Sequence, residues 1–349
     1  MPDPSHLPIH ATLRDIAERA GVSAMTVSRA LGRRAGIAAE TRDRIAKIAG
    51  KLGYRPDPEI AKLMHHVRSR HRPRFKSVIC GLTTRPSDSR EPYTLAVIAG
   101  ARTRAEELGY GFMVTYVAEA PAAWPGLQRT LRSRGVQGVL LLPQHRPIDL
   151  TGLCNWAEFS VVSATTSVLA PAVNRATPDH FSNGLLLCRE LAARGYRRLG
   201  YVTTSEHDVR VKHRFDAAML WHGRREAVSH VAPLILAELA ADRLIAWFSR
   251  EKPDVVVGSN FEELEWIRHT LKLRARGRVG LACTTNVGAA MKDICGIDER
   301  PRDVGMAAVD LLAGMVTTRV CGLPASPTST VVPGIWKEGR SCRGRIAGR

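Results

Sequence analysis

Apolar side chains at positions 13, 16, 17 and 20 recur at i, i+3, i+4 and i+7, the spacing of one stripe on a short helix. Thr12 stands where that helix needs a cap, and Asp15 three residues on completes a capping-box start. Gly21 follows, where a tight turn favours a residue at ease with positive φ, and Val22 is placed to reach back into the core. Ser23 predicts the N-cap of a second helix over 24–31, with Val27, Ala30 and Leu31 inward and Ala24, Met25, Ser28 and Arg29 outward. A third stripe, Ile45, Ile48, Ala49 and Leu52, repeats the spacing before Gly53. Three short helices around one small core are predicted.

The pattern changes from Ser77. Apolar runs of strand length (SVICGLT, GFMVTYV, VQGVLLL) alternate with helical segments at 92–108 and before Gly135. A second series begins with a helix at 179–194 and runs through RRLGYVTT, a helix near 210–222, PDVVVGSN, another helix and GRVGLACTT. Strands alternating with helices predict parallel sheets with crossover helices, and the length fits two doubly wound sheets joined by strands that pass between them.

Charge adds a direction to this picture. The chain of 349 residues carries a formal net charge of +18. Residues 1–75 hold 15 basic and 7 acidic side chains, the densest basic region of the chain. Such a balance favours polyanionic partners, and by itself does not separate nucleic acid from an anionic membrane surface. Seven cysteines, at 80, 154, 188, 283, 295, 321 and 342, include no C-x-x-C pair and no zinc-like spacing to histidine. Reduced thiols in a cytoplasmic protein are expected, without a metal. The start MPDPSHLPIH lacks a basic segment followed by an apolar run, and no later apolar stretch has bilayer length, so no export or membrane anchoring is expected. Nucleotide fingerprints, phosphate loops, zincin motifs and nucleophile elbows are absent from the α/β region, which argues against an enzyme and against a cofactor.

The string TLRDIAERAGVSAMTVSRAL at 12–31 resembles the lactose-repressor (LacI/GalR) family of bacterial transcription regulators nearly position for position. The resemblance implies an N-terminal all-α helix-turn-helix DNA-binding domain whose second helix enters the major groove. Carried over, Ala24, Met25 and Arg29 face base edges. Arg29 offers a bidentate contact to guanine, whereas Ala24 and Met25 can only pack. Thr12, Ser23, Thr26, Ser28 and Thr41 are expected near phosphates, and Ala38 stands where the family often has a serine cap.

The segment GYRPDPEIAKLMHHVRSRHRPR matches the family's Tyr-x-Pro entry into a hinge helix. Asp57 is a suitable N-cap and Pro58 a suitable first residue for a helix over 58–67, too short to be stable alone. In the family this segment folds on operator DNA, and paired hinge helices wedge a leucine into the minor groove. Leu63 holds that position here, so Tyr54, Lys62 and Leu63 join the expected DNA contacts. Arg68, Arg70, Arg72 and Arg74 add phosphate charge and predict steep salt dependence.

LRSRGVQGVLLLP, ELAARGYRRLGYV and GIDERPRDVGMAAVDLLAG resemble the family's effector domain, which is similar to periplasmic sugar-binding proteins. A small ligand, carbohydrate by that analogy, is then expected between the two sheets at strand C-terminal ends. Asn260 and Asp298 match residues that hold effector hydroxyls, with Asp298 the strongest candidate, and Arg210 and Arg214 compete for the place of an effector-binding arginine. Phe261 stands where an aspartate is usual, and Asp179 and Asn183 read as a helix cap and a first-turn residue. His65, His66, His213 and Trp336 are taken as surface or core. The resulting division is a DNA-binding domain over 10–56, a hinge and linker over 57–75, and an effector and dimerisation domain over 76–340, with crossovers near 176, 301 and 331. The implied partners are double-stranded operator DNA, a small-molecule effector as inducer or corepressor, and a second copy of the chain.

Overall fold

A computed structural model describes residues 12–31, 37–52, 54, 77–225, 229–273 and 278–344. The chain divides into two compact units, one over 1–73 and one over 74–349. The predicted hinge helix and Gly53 lie outside the described residues.

The smaller unit contains α1 (Leu13–Ala20), α2 (Ala24–Leu31) and α3 (Ala39–Lys51). At its start the Asp15 backbone N–H donates to Thr12 Oγ1, and the Asp15 carboxylate accepts the Thr12 N–H at 2.7 Å, a complete capping box. These bonds hold the Asp15 carboxyl below its ordinary pKa. Gly21 ends α1 at φ 63°, where it costs no Cβ strain, and its N–H closes onto the carbonyls of Ala17 and Glu18. Ser23 Oγ accepts the Thr26 N–H at 3.1 Å and caps α2. Ala38 opens α3 with no side-chain cap. Ile16, Ala17, Ala20, Val27, Ala30, Ile45 and Ala49 form the core, with Leu13, Val22, Leu31, Ile48, Leu52 and Tyr54 packed around it.

In the larger unit the first strands are β1 (Val78–Thr83), β2 (Gly111–Tyr116), β3 (Val136–Leu141), β4 (Ile148–Asp149), β5 (Ser160–Ser163), β6 (Val168–Ala170) and β7 (Asn174–Pro178). They are followed by β8 (Arg198–Thr204), β9 (Ser229–His230), β10 (Leu234–Leu236), β11 (Val255–Gly258), β12 (Gly280–Cys283), β13 (Cys295–Asp298), β14 (Ser329–Val332) and β15 (Ile335–Lys337). The described helices are α4 (Pro92–Glu107), α5 (Leu127–Ser133), α6 (His180–Ala193), α7 (Ser205–Arg210), α8 (Arg214–Arg225), α9 (Ala241–Glu251), α10 (Phe261–Thr270) and α11 (Pro301–Thr318).

One sheet has the order β14-β7-β5-β3-β1-β2, parallel throughout. The other runs β10-β8-β11-β12-β13-β15, with β9 also beside β8, and only β15 is antiparallel. β4 and β6 pair separately. The chain leaves the first sheet after β7, returns through α11, which packs on α4, and crosses again between β14 and β15.

Helices cover both faces of each sheet, so both faces of a strand are apolar, and alternate residues enter different cores. On β3 and just beyond, Leu140 and Leu142 join α4 and α11 residues, whereas Val139 and Leu141 pack with Trp124 and Trp156. On β11, Val255 and Val257 face Tyr201 and Phe215, and Val256 faces Leu244 and Trp247. The α4–α11 approach requires glycine: a Cβ at Gly305 would lie 2.2 Å from the Val97 carbonyl oxygen.

The helix expected near 210–222 is broken. α7 ends at Arg210, Lys212 and His213 take φ of 56° and 57°, and α8 starts at Arg214. The Asp208 carboxylate meets His213 Nδ1 at 2.5 Å across that turn. No glycine or proline marks the break, since this side-chain bond stands in for the usual turn residue.

Candidate functional site

The sequence implicates two places, one in each unit. In the smaller unit, Val27 and Ala30 are buried in the core, so the 100° helical step puts positions 25 and 29 on the other side of α2, with 24 and 28 at its flank. The side chains of Ala24, Met25, Ser28 and Arg29 lie outside the described part, as do Lys62 and Leu63 entirely. Thr12, Ser23 and Thr26 are occupied in capping their helices. Thr41 is half-buried in the first turn of α3, and the Tyr54 N–H donates to the Ala49 carbonyl at 3.0 Å while its ring packs against the three-helix core.

In the larger unit a cavity of about 550 Å³ opens between the two sheets where their parallel strands end. Its walls come from loops and helix starts. The first sheet contributes Arg85, Glu91, Tyr93 and Thr165, and the second contributes His207, Arg210, Ser259, Asn260, Thr285 and Glu299. His180, at the start of α6, closes the side where the chain passes from one sheet to the other.

Each wall residue is held by a local device. Glu91 caps α4, accepting the N–H groups of Tyr93 and Thr94 at 2.9 and 2.7 Å, and lies 3.8 Å from Arg85 Nε. Asn260 caps α10 by accepting the Glu263 N–H at 2.9 Å. Ser259 donates both its N–H and its hydroxyl to the buried Glu263 carboxylate, which also accepts from the Thr204 N–H, so one side chain ties the ends of β8 and β11 together beneath the cavity. Burial pushes the Glu263 carboxyl above its ordinary pKa.

Glu299 is 3% exposed. Its Oε2 accepts from Thr285 Oγ1 at 3.0 Å, its Oε1 has no hydrogen-bond partner, and His180 Nε2 lies 3.5 Å from Oε1. Burial is the main reason that the Glu299 carboxyl is pushed up to about 7. Burial, with Arg214 and Arg210 adding to it, pushes His180 down to about 3, so its ring is neutral at physiological pH. His207 is likewise driven down by burial and by Arg210. Because a guanidinium only donates, His207 Nδ1 accepts from Arg210 Nη2 at 2.6 Å, which leaves the proton on Nε2, buried without a partner. Orphaned buried polar atoms are uncommon, and His180 Nδ1, His207 Nε2 and Glu299 Oε1 together on one cavity wall suit a ligand that satisfies them.

Of the sequence-predicted effector residues, Arg210 and Asn260 line this cavity. Arg214 and Asp298 do not. Asp298 accepts the Arg300 N–H at 2.8 Å and lies 4.0 Å from Lys337 Nζ, on the other side of the β13 end from Glu299. Phe261 is exposed at the first turn of α10. Asp179 accepts the Ser182 N–H at 3.1 Å, and Asn183 is buried with its Oδ1 accepting from the Gly334 N–H, which ties α6 to the third crossover. Trp336 packs on the second sheet beneath the Arg194 guanidinium. His180, His207, Arg85 and Glu299 were not singled out from the sequence. The usable signal was position, since each follows the C-terminal end of a parallel strand within a few residues.

Among the described residues, no cluster of three His, Cys, Asp or Glu side chains suits a metal ion, and no helix is long and apolar enough to cross a membrane.

Residues 12–57 match the family described as bacterial regulatory proteins, lacI family. The chain is 23% identical over 206 residues to the HTH-type transcriptional repressor PurR of Mannheimia succiniciproducens, a match over 59% of this chain and 58% of that protein. The chain thus spans just over half the length of that curated relative. Among solved structures, it resembles a transcriptional regulator CelR–cellobiose complex with a TM-score of 0.56 and 19% identity, over 95% of this chain and 100% of the other. It also resembles a Lac repressor dimer bound to operator and the anti-inducer ONPF, with a TM-score of 0.55 and 17% identity, over 96% and 100% of the two chains. At these identities the solved structures speak to the fold, an N-terminal helix-turn-helix domain followed by a periplasmic-binding-protein-like α/β domain. The helix-turn-helix match and the shared architecture agree with the geometry of both units: residues 12–57 carry the helix-turn-helix of the lacI family of bacterial regulatory proteins, and the larger unit shares the fold of the solved regulators.

Proposed function

We propose that this chain is a sequence-specific DNA-binding transcription regulator, not an enzyme, that works in the cytoplasm as a homodimeric repressor under the control of a small polar effector of carbohydrate size. The observation that carries the proposal is the presence in one chain of two complementary devices. One is a helix pair turned at Gly21 whose second helix spends only one side on its own core. The other is a cavity lined with orphaned polar atoms between two sheets.

In this reading Arg29 reads a base pair in each half of a near-palindromic operator, Ala24 and Met25 pack against base edges, and Thr12, Ser23, Thr26, Ser28, Thr41 and Tyr54 position the unit on phosphates. Residues 57–75 form the hinge, with Lys62 and Leu63 at the centre of the site. Arg210 and Asn260 hold the effector from the second sheet. A ligand touching both walls changes the angle between the sheets, and the three crossovers carry that change toward the hinge.

The test is selection of DNA from randomised fragments by the full chain, followed by affinity measurement on the recovered sequences. The expected result is one symmetric motif, bound about a thousandfold or more tighter than random DNA. Recovery of unrelated fragments with equal affinity contradicts the proposal.

A further inference from the structure

The charges of the cavity point to the chemistry of its ligand. Arg85 extends from the loop after β1, on the first-sheet wall, and Arg210 ends α7 on the opposite wall. Arg85 has one long ion pair, to Glu91, and among the described residues Arg210 has no carboxylate at ion-pair distance. Arg85 Nε is buried without a hydrogen-bond partner, 3.8 Å from a Glu91 carboxylate that is already engaged with Tyr93 N–H, Thr94 N–H and the Thr94 hydroxyl. The Arg210 hydrogen bond goes to the neutral ring of His207. A third arginine, Arg90, stands exposed at the rim.

The carboxylates that line the cavity offset these cations only in part. Glu91 is committed to the α4 cap, and Glu262 is exposed on the first turn of α10. Glu299 is held toward its neutral acid form by burial. The same positive field is felt on both walls, since Arg210 lowers the pKa of Arg85, His180 and His207 alike. Around this cationic centre lie groups suited to hydroxyls: the buried Ser259, Asn260, Thr285, the orphaned His207 Nε2–H and Glu299 Oε1.

We propose that the effector is a polyhydroxylated anion, a sugar-sized molecule bearing a carboxylate or a phosphate, whose charged group sits between Arg85 and Arg210 while its hydroxyls meet the second-sheet wall. The inference rests on the reading of the cavity as an effector site and adds the charge of its occupant. It also gives the ligand a mechanical role. Without an anion, two like charges face each other across the cleft. With one, each guanidinium gains a charge-assisted bond to the same group, and the two sheets are drawn together.

The experiment is calorimetric titration of the full chain without DNA, at constant ionic strength. The probes are C5 and C6 sugar acids including gluconate and glucuronate, sugar phosphates including glucose 6-phosphate, the neutral parent sugars, and inorganic phosphate and acetate as bare-anion controls. At least one sugar acid or sugar phosphate is expected to bind about tenfold or more tighter than its neutral parent and than the bare anions. Preference for the carboxylate or the phosphate arm then identifies the source of the charge. Arg85→Ala and Arg210→Ala are each expected to remove that preference. Arg85→Lys and Arg210→Lys, which keep the cation, are expected to retain part of it, and unfolding midpoints measured without probe verify that each variant is folded. Tighter binding of a neutral sugar, equal binding by bare anions, no binding by any anionic sugar, or an acid preference that survives both alanine variants overturns the proposal. Because no DNA is present, such a failure leaves the regulator reading standing, and a failed DNA selection leaves this measurement interpretable.

Discussion

Replacing Glu299 by Gln tests the electrostatics of the cavity through stability. In the folded chain the Glu299 carboxyl titrates at about 7, against an ordinary value of 4.5, mainly because burial disfavours its charged form. Below pH 4.5 it is protonated in both folded and unfolded chains and has no effect. Between 4.5 and about 7 the unfolded chain loses the proton and the folded chain keeps it, so stability falls as pH rises, and above about 7 the penalty is constant. The gap corresponds to about 3 kcal/mol. His180 acts in the opposite sense: its neutral ring is favoured by burial, and its penalty grows as pH falls from 6.5 toward about 3. The two effects offset each other between pH 4.5 and 6.5, so the wild-type profile alone is flat where each is changing, and the difference between wild type and Glu299→Gln isolates the carboxyl.

The assay is thermal unfolding of both proteins from pH 5 to pH 8. Gln keeps the volume and an acceptor for Thr285 and cannot ionise. The midpoint of the variant is expected to rise relative to wild type across this range, reaching a gap of about 6–12 °C at pH 8 if 1 kcal/mol moves the midpoint by roughly 2–4 °C. A pH-independent difference would mean that Glu299 has an ordinary pKa. Wild type gaining on the variant as pH rises would mean that Glu299 is ionised and paired with a charged His180, and would refute a cavity whose acid and imidazole are both held neutral by burial.

Other expectations follow from single residues. Thr12→Ala breaks the capping box and is expected to destabilise the smaller unit by about 1 kcal/mol, read by chemical denaturation followed by circular dichroism. Gly305→Ala forces a Cβ against the Val97 carbonyl and is expected to lower the stability of the larger unit by on the order of 1–3 kcal/mol, with a midpoint shift in urea as the readout. Arg29→Ala should relax specificity at one base pair per half-site by about 1–3 kcal/mol, and equal loss on all sequences would count against base reading. Leu63→Ala should weaken operator binding and reduce DNA bending, which circular-permutation gel shifts measure directly.

The smaller unit was legible because its signals are local. Thr12, Asp15, Gly21 and Ser23 act within four residues of themselves, and the i, i+3, i+4 stripes name the core directly. The alternation of strands and helices was legible for the same reason. The antiparallel β15 and the short edge strand β14 were missed, because they owe their conformation to partners distant in sequence, β13 and β7 respectively.

In the cavity, Arg210, one of two arginines considered, and Asn260 were found by matching positions to the family's effector-binding residues, but Asp298 and Glu299 show how one residue decides the matter. Successive side chains at a strand end point in opposite directions, so Asp298 turns to Arg300 and Lys337 while Glu299 enters the cavity. Sequence position cannot resolve that alternation without the register. His180 and His207 were missed for another reason: position after a strand end marks many residues, and what sets these two apart is burial beside Arg210, a tertiary property.

The most direct test of DNA-binding regulation by this chain is footprinting of the full-length protein on DNA upstream of its own gene, in moderate salt, with and without the anionic sugar that binds most tightly. The expected result is one discrete, near-palindromic protected segment with altered reactivity at its centre, and a change in the protein concentration needed for protection when the ligand is added. Protection that is uniform along the DNA, or none at concentrations where the chain is folded, would contradict it.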